Sequence, residues 1–298
     1  MTRLAVLALL AAVTCLEPQE QSPARFRSTA DAVRVDVQVR QGGRPVVGLT
    51  SADFELRDSK VVQQIEAVAV EDVPVTLFLA LDVSSSVKGQ MLDRLKTAAR
   101  SAVQALRDDD SAALLTFSQR IDRPATITRD RQGIIAAIDR MRAEGSTALR
   151  DAVFAATVLR EQAPGRVILL VFTDGMDTVS WLDTPTVMEA ALRSDMVIYT
   201  VTTQPLPPDF YEDFYEDEPE LFPGPFLGDL ANRTGGERLQ VKREAELTLT
   251  FAKIVSDFKS RYLLTYSPRK VPAGGWHPLE VKLKNRRADV TARRGYWR

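Results

Sequence analysis

The chain has 298 residues, 45% of them hydrophobic and 27% charged, which is typical of a soluble globular protein with one large or two modest domains. It carries 39 Lys and Arg against 40 Asp and Glu, so its formal net charge is −1. That balance gives no basic footprint for nucleic acid and argues against a nucleic-acid partner. The only cysteine is Cys15, so the chain forms no intramolecular disulfide. This is unusual for a secreted animal domain and more in keeping with a bacterial exported protein.

Residues 1–15 have the pattern of a secretory signal peptide. Arg3 supplies a positive charge before the apolar stretch 4–13, which is too short to span a bilayer. Cys15 either lies in or beside the removed peptide or serves as a lipoprotein anchor, although the residues before it fit a lipobox poorly. We therefore expect an exported protein, periplasmic or secreted, and no later run is long and apolar enough for a transmembrane helix.

Three segments follow a polar linker at 16–31. Apolar residues alternate with polar ones over 32–72, beginning with VRVDVQV, and predict short strands. Over 73–260, apolar runs of strand length alternate with amphipathic helical stripes, which predicts an α/β fold with a doubly wound, mostly parallel sheet. Residues 261–298 return to short alternating strands. Each end looks too small to fold alone, which is compatible with their pairing with each other but does not establish it.

Residues 204–226 interrupt this regularity with a Pro-bounded stretch of alternating acidic and aromatic residues. Two interpretations stay open. The stretch either borders a functional site and shapes or blocks the binding of a partner, or it is a solvated insertion.

Asp82, Ser84 and Ser86 follow directly after the apolar run at 76–81. An extended backbone sends alternate residues to one side, so these three side chains are expected to converge where the strand ends. Their hard oxygen atoms suit Mg²⁺ or Mn²⁺ better than zinc, which prefers Cys and His.

Two later segments complete a pattern. Thr147 lies in GSTALRDA, where a helix begins, and Asp174 lies at the end of the apolar run VILLVFTDG. With D-x-S-x-S at Asp82, these residues resemble the metal-ion-dependent adhesion site (MIDAS) of the von Willebrand factor type A family. Through the terminal segments that begin VRVDVQVRQGG and SRYLLTYSP, the chain also resembles bacterial von Willebrand A-related proteins, notably those of Acidobacteria, over about residues 32–298. This wider resemblance implies that the two terminal segments belong to one unit, and we expect them to pair as a small β module.

The resemblance implies a metal site with ligands from all three segments. Ser84, Ser86 and Thr147 would coordinate the ion through their hydroxyls, and Asp82 and Asp174 would act partly through bound water. It also implies that a carboxylate of another protein replaces one water, so that the metal bridges two chains. Asp151 and Asp177 lie near the site in sequence and are expected to support it or to lie on the surface.

No catalytic residues and no organic cofactor are predicted. The chain has no G-x-S-x-G elbow and no Gly-rich phosphate loop. Its one histidine, His277, lies in GGWHP, which indicates an exposed turn. The expected function is metal-dependent protein binding rather than catalysis. The alternatives are a structural envelope protein with a fold-stabilising metal and, less favoured, a Mg²⁺-dependent hydrolase.

Overall fold

The structure is a computed structural model that describes residues 32–70, 73–174, 176–203 and 224–298. The predicted signal peptide with Cys15, the predicted linker and residues 204–223 of the acidic and aromatic stretch lie outside these ranges. Among the described residues, no helix has both the length and the apolar character needed to cross a membrane.

The described strands and helices follow in chain order. The strands are β1 (Val33–Gln41), β2 (Arg44–Pro45), β3 (Phe54–Asp58), β4 (Val61–Gln63), β5 (Ala67–Ala69), β6 (Val75–Asp82), β7 (Ser111–Phe117), β8 (Ile121–Thr128), β9 (Arg166–Thr173), β10 (Val197–Thr203), β11 (Arg238–Val241), β12 (Tyr262–Tyr266), β13 (Trp276–Leu283), β14 (Asp289–Ala292) and β15 (Gly295–Trp297). The helices are α1 (Gln90–Gln104), α2 (Arg131–Asp139), α3 (Leu149–Leu159), α4 (Thr184–Arg193), α5 (Gly224–Thr234) and α6 (Leu247–Lys259).

A six-stranded sheet in the order β11-β10-β9-β6-β7-β8 forms the centre of the structure. Its strands pair in parallel except β8, which pairs antiparallel with β7. Strands β6, β7 and β9 are buried along their whole length, as apolar strands covered on both faces should be. The predicted doubly wound, mostly parallel sheet is confirmed, and β8 is an antiparallel edge strand that was not predicted from the sequence.

Alternate residues of β6 enter two separate cores. Leu77 and Leu79 pack with α1, α2 and α6, whereas Phe78 and Ala80 pack with α3, α4 and α5. Each helix buries one stripe; in α1 the stripe is Leu95, Ala98, Ala99, Ala102 and Val103, at three- and four-residue steps. The sheet is therefore covered on both faces, and its functional surfaces are left to the strand ends and loops.

The two ends of the chain form a flanking β module of two antiparallel sheets, built from β1–β5 and β12–β15. In one sheet β1 lies between β12 and β14, with Val35 opposite Leu264 and Val37 opposite Ala292. In the other, β13 pairs with β3, with Val281 opposite Leu56. Because these strands come from both termini and share a third core, the module predicted from the terminal segments is present.

Buried arginines join the flanking β module to the amino ends of the central strands. Arg166, the first residue of β9, donates a 2.7 Å hydrogen bond from Nε to Asp36 of β1. Arg261, just before β12, is fully buried and donates to the hydroxyl of Tyr199 in β10 at 2.7 Å. The module therefore sits at the amino ends of β9 and β10, and their carboxyl ends point the other way.

Candidate metal centre

The centre lies where β6 and β9 end side by side. These two strands lie at the switch point of the sheet. From β6, the chain first adds β7 and β8 on one side and then adds β9, β10 and β11 on the other. In open α/β sheets, ligands bind in the crevice beyond the carboxyl ends of strands at such a point. Asp82 is the last residue of β6, Thr173 is the last of β9, and Asp174 follows it.

Asp82 is completely buried and held by two donors. Its Oδ1 accepts a 2.8 Å hydrogen bond from the backbone N–H of Ser84, and its Oδ2 accepts a 2.7 Å bond from the hydroxyl of Thr173. Burial raises the pKa of Asp82 to about 6; the bonds from Ser84 and Thr173 oppose this rise, and the nearby charge of Asp174 adds to it. Among the described residues, no Lys, Arg or His forms an ion pair with Asp82. A buried carboxylate beside a second carboxylate is the environment that a divalent cation stabilises.

A chain of hydroxyls leads from the buried Ser84 to Asp174. The hydroxyl oxygens of Ser84 and Ser86 lie 3.0 Å apart, and the Ser86 hydroxyl donates to Oδ1 of Asp174 at 2.9 Å. The strand ends at Asp82, and a 3₁₀ turn at Ser85–Val87 follows. A turn, rather than the expected extended alternation, therefore brings Ser86 to the site.

The segment that carries Thr147 is docked on this turn. The carbonyl of Gly145 accepts a 2.9 Å hydrogen bond from the backbone N–H of Ser85, and the backbone N–H of Glu144 donates one of 2.8 Å to the carbonyl of Val83. Gly145 has a φ of +81°, a conformation that residues with a Cβ adopt at a cost. Thr147 itself is buried and lies two residues beyond this contact. The three predicted segments thus meet at one edge of the sheet.

The donor set fits a hard divalent cation. Three hydroxyls and two carboxylates supply only oxygen, which Mg²⁺ and Mn²⁺ prefer. Within the described ranges, no group of three or more His, Cys, Asp or Glu side chains is placed to hold a metal. A site here would therefore depend on the serine and threonine hydroxyls.

The family model of the von Willebrand factor type A domain matches residues 77–176, a span that contains all five predicted ligands. The chain contains a von Willebrand factor type A domain. An uncharacterized protein of Synechocystis sp., sll0103, is 37% identical over 79 residues, which cover 26% of this chain and 19% of that protein.

Two solved structures have a similar fold. One is a von Willebrand factor type A protein from Catenulispora acidiphila, with a TM-score of 0.54 and 12% identity over 90% of this chain and 72% of that one. The other is proximal thread matrix protein 1 from the mussel byssus, in a structure described with a zinc-occupied MIDAS motif. It has a TM-score of 0.51 and 15% identity over 69% of this chain and 50% of that one. At these identities the likeness concerns the fold alone.

Asp151 and Asp177 hold the loop at residues 177–182 in place. The buried Asp177 accepts a hydrogen bond from the backbone N–H of Arg150 at 3.0 Å, and its Oδ2 lies 3.0 Å from Nε of the same arginine. Asp151 accepts hydrogen bonds from the backbone N–H groups of Trp181 and Leu182 at 3.0 and 2.9 Å. Both carboxylates therefore fix residues 177–182 against the start of α3.

One residue of the site was missed. No role was predicted for Thr173 from the sequence, although its hydroxyl donates a hydrogen bond to Asp82. Its position as the last strand residue before Asp174 is a signal that could have found it, since Asp82 occupies the matching end of the adjacent strand β6.

His277 is not the exposed turn residue that its Gly- and Pro-rich surroundings indicated. It lies in β13, fully buried, with its Nδ1 2.9 Å from Oδ1 of Asp58. Asp58 also accepts hydrogen bonds from the hydroxyls of Tyr266 and Tyr296 at 2.9 and 2.8 Å. The only histidine of the chain is thus part of the interior of the flanking β module.

Proposed function

We propose that the von Willebrand A domain binds Mg²⁺ or Mn²⁺ and uses the ion to capture a carboxylate of another protein. The ligands would be the side chains predicted from the sequence: Asp82, Ser84, Ser86, Thr147 and Asp174. The observation that carries the proposal is the hydroxyl chain from Ser84 through Ser86 to Asp174, which lies beside the buried carboxylate of Asp82.

The choice of ligands supports a binding role. When bound, the cation would supply a Lewis-acidic position for an acidic side chain of the partner, since three of its five protein ligands are neutral hydroxyls. Asp82 is buried and would balance the charge from inside, whereas Ser86 and Asp174 reach towards solvent. The partner would therefore approach from the side of Ser86 and Asp174.

Which ion the site binds is decided by comparing the affinities of the candidate ions directly. Oxygen ligands favour Mg²⁺ and Mn²⁺ on chemical grounds. The byssal protein of similar fold is described with zinc in its MIDAS motif, so zinc belongs among the ions to be titrated.

We also propose that the protein is exported and acts as a binding module rather than an enzyme. Export rests on the leader pattern of Arg3 and the apolar residues 4–13, which lie outside the described part of the chain. It is tested by the N-terminal sequence and mass of the mature protein. The binding role predicts no release of phosphate from a generic phosphate ester; release that is abolished in Asp82→Asn would contradict it.

Calorimetric titration of the full chain with Mg²⁺ tests the site. We expect one bound ion for the wild type and an affinity at least tenfold lower for Ser86→Ala. Ser85→Ala is the matched control, because Ser85 joins the site through its backbone N–H alone, which the variant keeps. Equal Mg²⁺ uptake by Ser86→Ala and the wild type would contradict the ligand assignment.

Affinity capture from the native envelope, with Mg²⁺ and with chelator, tests the binding role. We expect partners that chelator releases and that Ser86→Ala and Thr147→Ala fail to retain while they stay folded. If capture survives in both variants while the melting temperature falls, the metal stabilises the fold and does not bridge to a partner.

A further inference from the structure

Trp181 is the most exposed large apolar side chain among the described residues, with 95% of its surface open to solvent. Val179, two residues earlier in the same loop, is 40% exposed. Tryptophan is enriched at the energetic centres of protein interfaces, and exposed apolar surface marks contact sites. The loop between β9 and α4 thus presents an apolar surface, which we call the Trp181 surface.

The Trp181 surface is held firmly in place. Both oxygens of the Asp151 carboxylate accept backbone hydrogen bonds, one from Trp181 and one from Leu182. The hydroxyl of Ser180 accepts bonds from the backbone N–H groups of Arg150 and Asp151 at 3.1 and 3.3 Å. The loop is therefore tied to the first turn of α3. Because its backbone is already fixed, little conformational freedom would be lost when a partner binds.

The same loop is bound to the segment that carries a predicted metal ligand. The backbone N–H groups of Thr178 and Val179 donate to the carbonyl of Thr147 at 2.9 and 3.1 Å. Thr147 in turn donates its N–H to the hydroxyl of Thr178 at 3.0 Å. Trp181 is two residues beyond Val179, so their Cα atoms are at most about 7 Å apart. Added to the hydrogen bond between Val179 and Thr147, this places the Cα of Trp181 within about 14 Å of the Cα of Thr147, one of the predicted metal ligands.

We propose that the Trp181 surface is the apolar half of the partner site. It would give selectivity for a protein segment in which an Asp or Glu lies within about four residues of an aromatic or aliphatic side chain, since an extended chain covers about 3.3 Å per residue. The inference rests on the proposed function, because the metal supplies the position for the carboxylate. A metal alone accepts any accessible carboxylate, whereas a fixed apolar neighbour distinguishes one acidic segment from another.

Selection from a library of random dodecapeptides tests the inference. The library is panned in Mg²⁺ on the full chain, on Trp181→Ala and on Leu249→Ala, and bound peptides are eluted with chelator. Leu249→Ala is the matched control, because Leu249 is 75% exposed but lies on α6, which packs on the other face of the sheet. Equal melting temperatures and equal Mg²⁺ uptake establish that the variants are intact.

We expect the wild type and Leu249→Ala to enrich peptides with an acidic residue and a nearby apolar one. Trp181→Ala should enrich acidic peptides without the apolar preference, and the best wild-type peptide should bind it at least tenfold more weakly. An unchanged apolar preference in Trp181→Ala, or acidic peptides without apolar preference on the wild type, would overturn the inference and leave the proposed function standing. Failure to elute any acidic peptide from the wild type with chelator would remove the proposed function and the inference with it.

A lipid surface is the competing partner for an exposed indole. The wild type and Trp181→Ala are therefore sedimented with phosphatidylcholine vesicles in chelator. We expect neither to sediment. Sedimentation of the wild type alone would assign Trp181 to membrane contact and overturn the inference.

Discussion

The hydroxyl of Thr173 donates a 2.7 Å hydrogen bond to the buried carboxylate of Asp82, and so joins the ends of the adjacent strands β9 and β6. Asp174, the next residue, accepts a hydrogen bond from Ser86. Thr173 and Asp174, which follow one another at the end of β9, therefore bind the buried carboxylate of Asp82 and the exposed hydroxyl of Ser86. The separation of β6 and β9 fixes the geometry of the proposed metal ligands.

Replacement of Thr173 by Val should weaken both the fold and the site. The variant leaves one oxygen of Asp82 buried without its hydroxyl donor, which costs about 1–3 kcal/mol of unfolding free energy. Mg²⁺ affinity should also fall, because the carboxylate loses its fixed orientation. Urea unfolding in chelator and calorimetric titration measure the two effects. Thr173→Ser keeps the hydroxyl and should stay close to the wild type; a loss of Mg²⁺ affinity as large as that of the Val variant would show that the methyl group, not the hydroxyl, matters.

The sequence predicts the central strands and the site segments because their signals are local. Strands β6 and β9 are covered on both faces, so they are continuous apolar runs, and polar residues follow where those runs end. The meeting of Asp82 and Asp174 then follows from parallel pairing. The 3₁₀ turn at Ser85–Val87 gives no comparable signal, which is why the expected extended path was wrong there.

Other features depend on contacts that no local pattern records. Strand β8 is largely exposed and contains Pro124, so it lacks a strand pattern; its place comes from pairing with β7 at the sheet edge. The burial of His277 depends on Asp58, which lies 219 residues away in the chain. The neighbouring Gly and Pro residues indicated an exposed turn, and nothing in this local sequence reveals that Asp58 is the partner of His277.

Asp58 should make the protein sensitive to acid. Its burial alone would raise its pKa, but hydrogen bonds from Tyr296, His277 and Tyr266 outweigh burial and hold the pKa below the usual 3.8. A carboxyl whose pKa is lower in the folded state stabilises the fold above the unfolded pKa and loses this effect as pH falls through the folded value. The contribution of Asp58 should therefore be complete above about pH 5, begin to fall near pH 4 and shrink progressively as the pH drops further, through the lowered pKa of the folded state.

The free energy of unfolding at pH 7 and at pH 3, for wild type and Asp58→Asn, checks this expectation. At pH 7 the variant should be less stable by about 3 kcal/mol, because it removes a buried charged acceptor. At pH 3 the difference should shrink. A difference that is the same at both pH values would contradict a lowered pKa of Asp58.

Gly145→Ala should perturb the site through the backbone. Gly145 has a φ of +81°, where a Cβ costs about 1–2 kcal/mol, and an added Cβ would also come within 3.0 Å of the side chain of Gln119. The expected shift would disturb the hydrogen bond from Ser85 to Gly145 and with it the position of Thr147. Gly42→Ala is the matched control, since Gly42 has a φ of +58° with open space around it and lies in the β1–β2 turn. Both variants should lose stability in urea, but only Gly145→Ala should lose Mg²⁺ affinity. Equal Mg²⁺ affinities of the two variants would show that the conformation of Gly145 does not influence the site.

Asp36→Asn should destabilise the protein without affecting metal binding. Asp36 pairs with Arg166, and both side chains are largely buried, so removing the carboxylate leaves a buried guanidinium without its charged partner and costs about 3 kcal/mol. Arg166 begins β9 and Thr173 ends it, so the pair lies roughly 25 Å from the site at the rise of an extended strand. Urea unfolding should therefore show the loss, while calorimetric Mg²⁺ affinity at a temperature where both proteins are folded should match the wild type.

Glu189→Gln, which breaks the exposed pair with Arg193, should cost less than about 1 kcal/mol in the same assay. A reduced Mg²⁺ affinity in Asp36→Asn would mean that the flanking β module communicates with the strand ends through β9, and that the two ends of this strand are not independent.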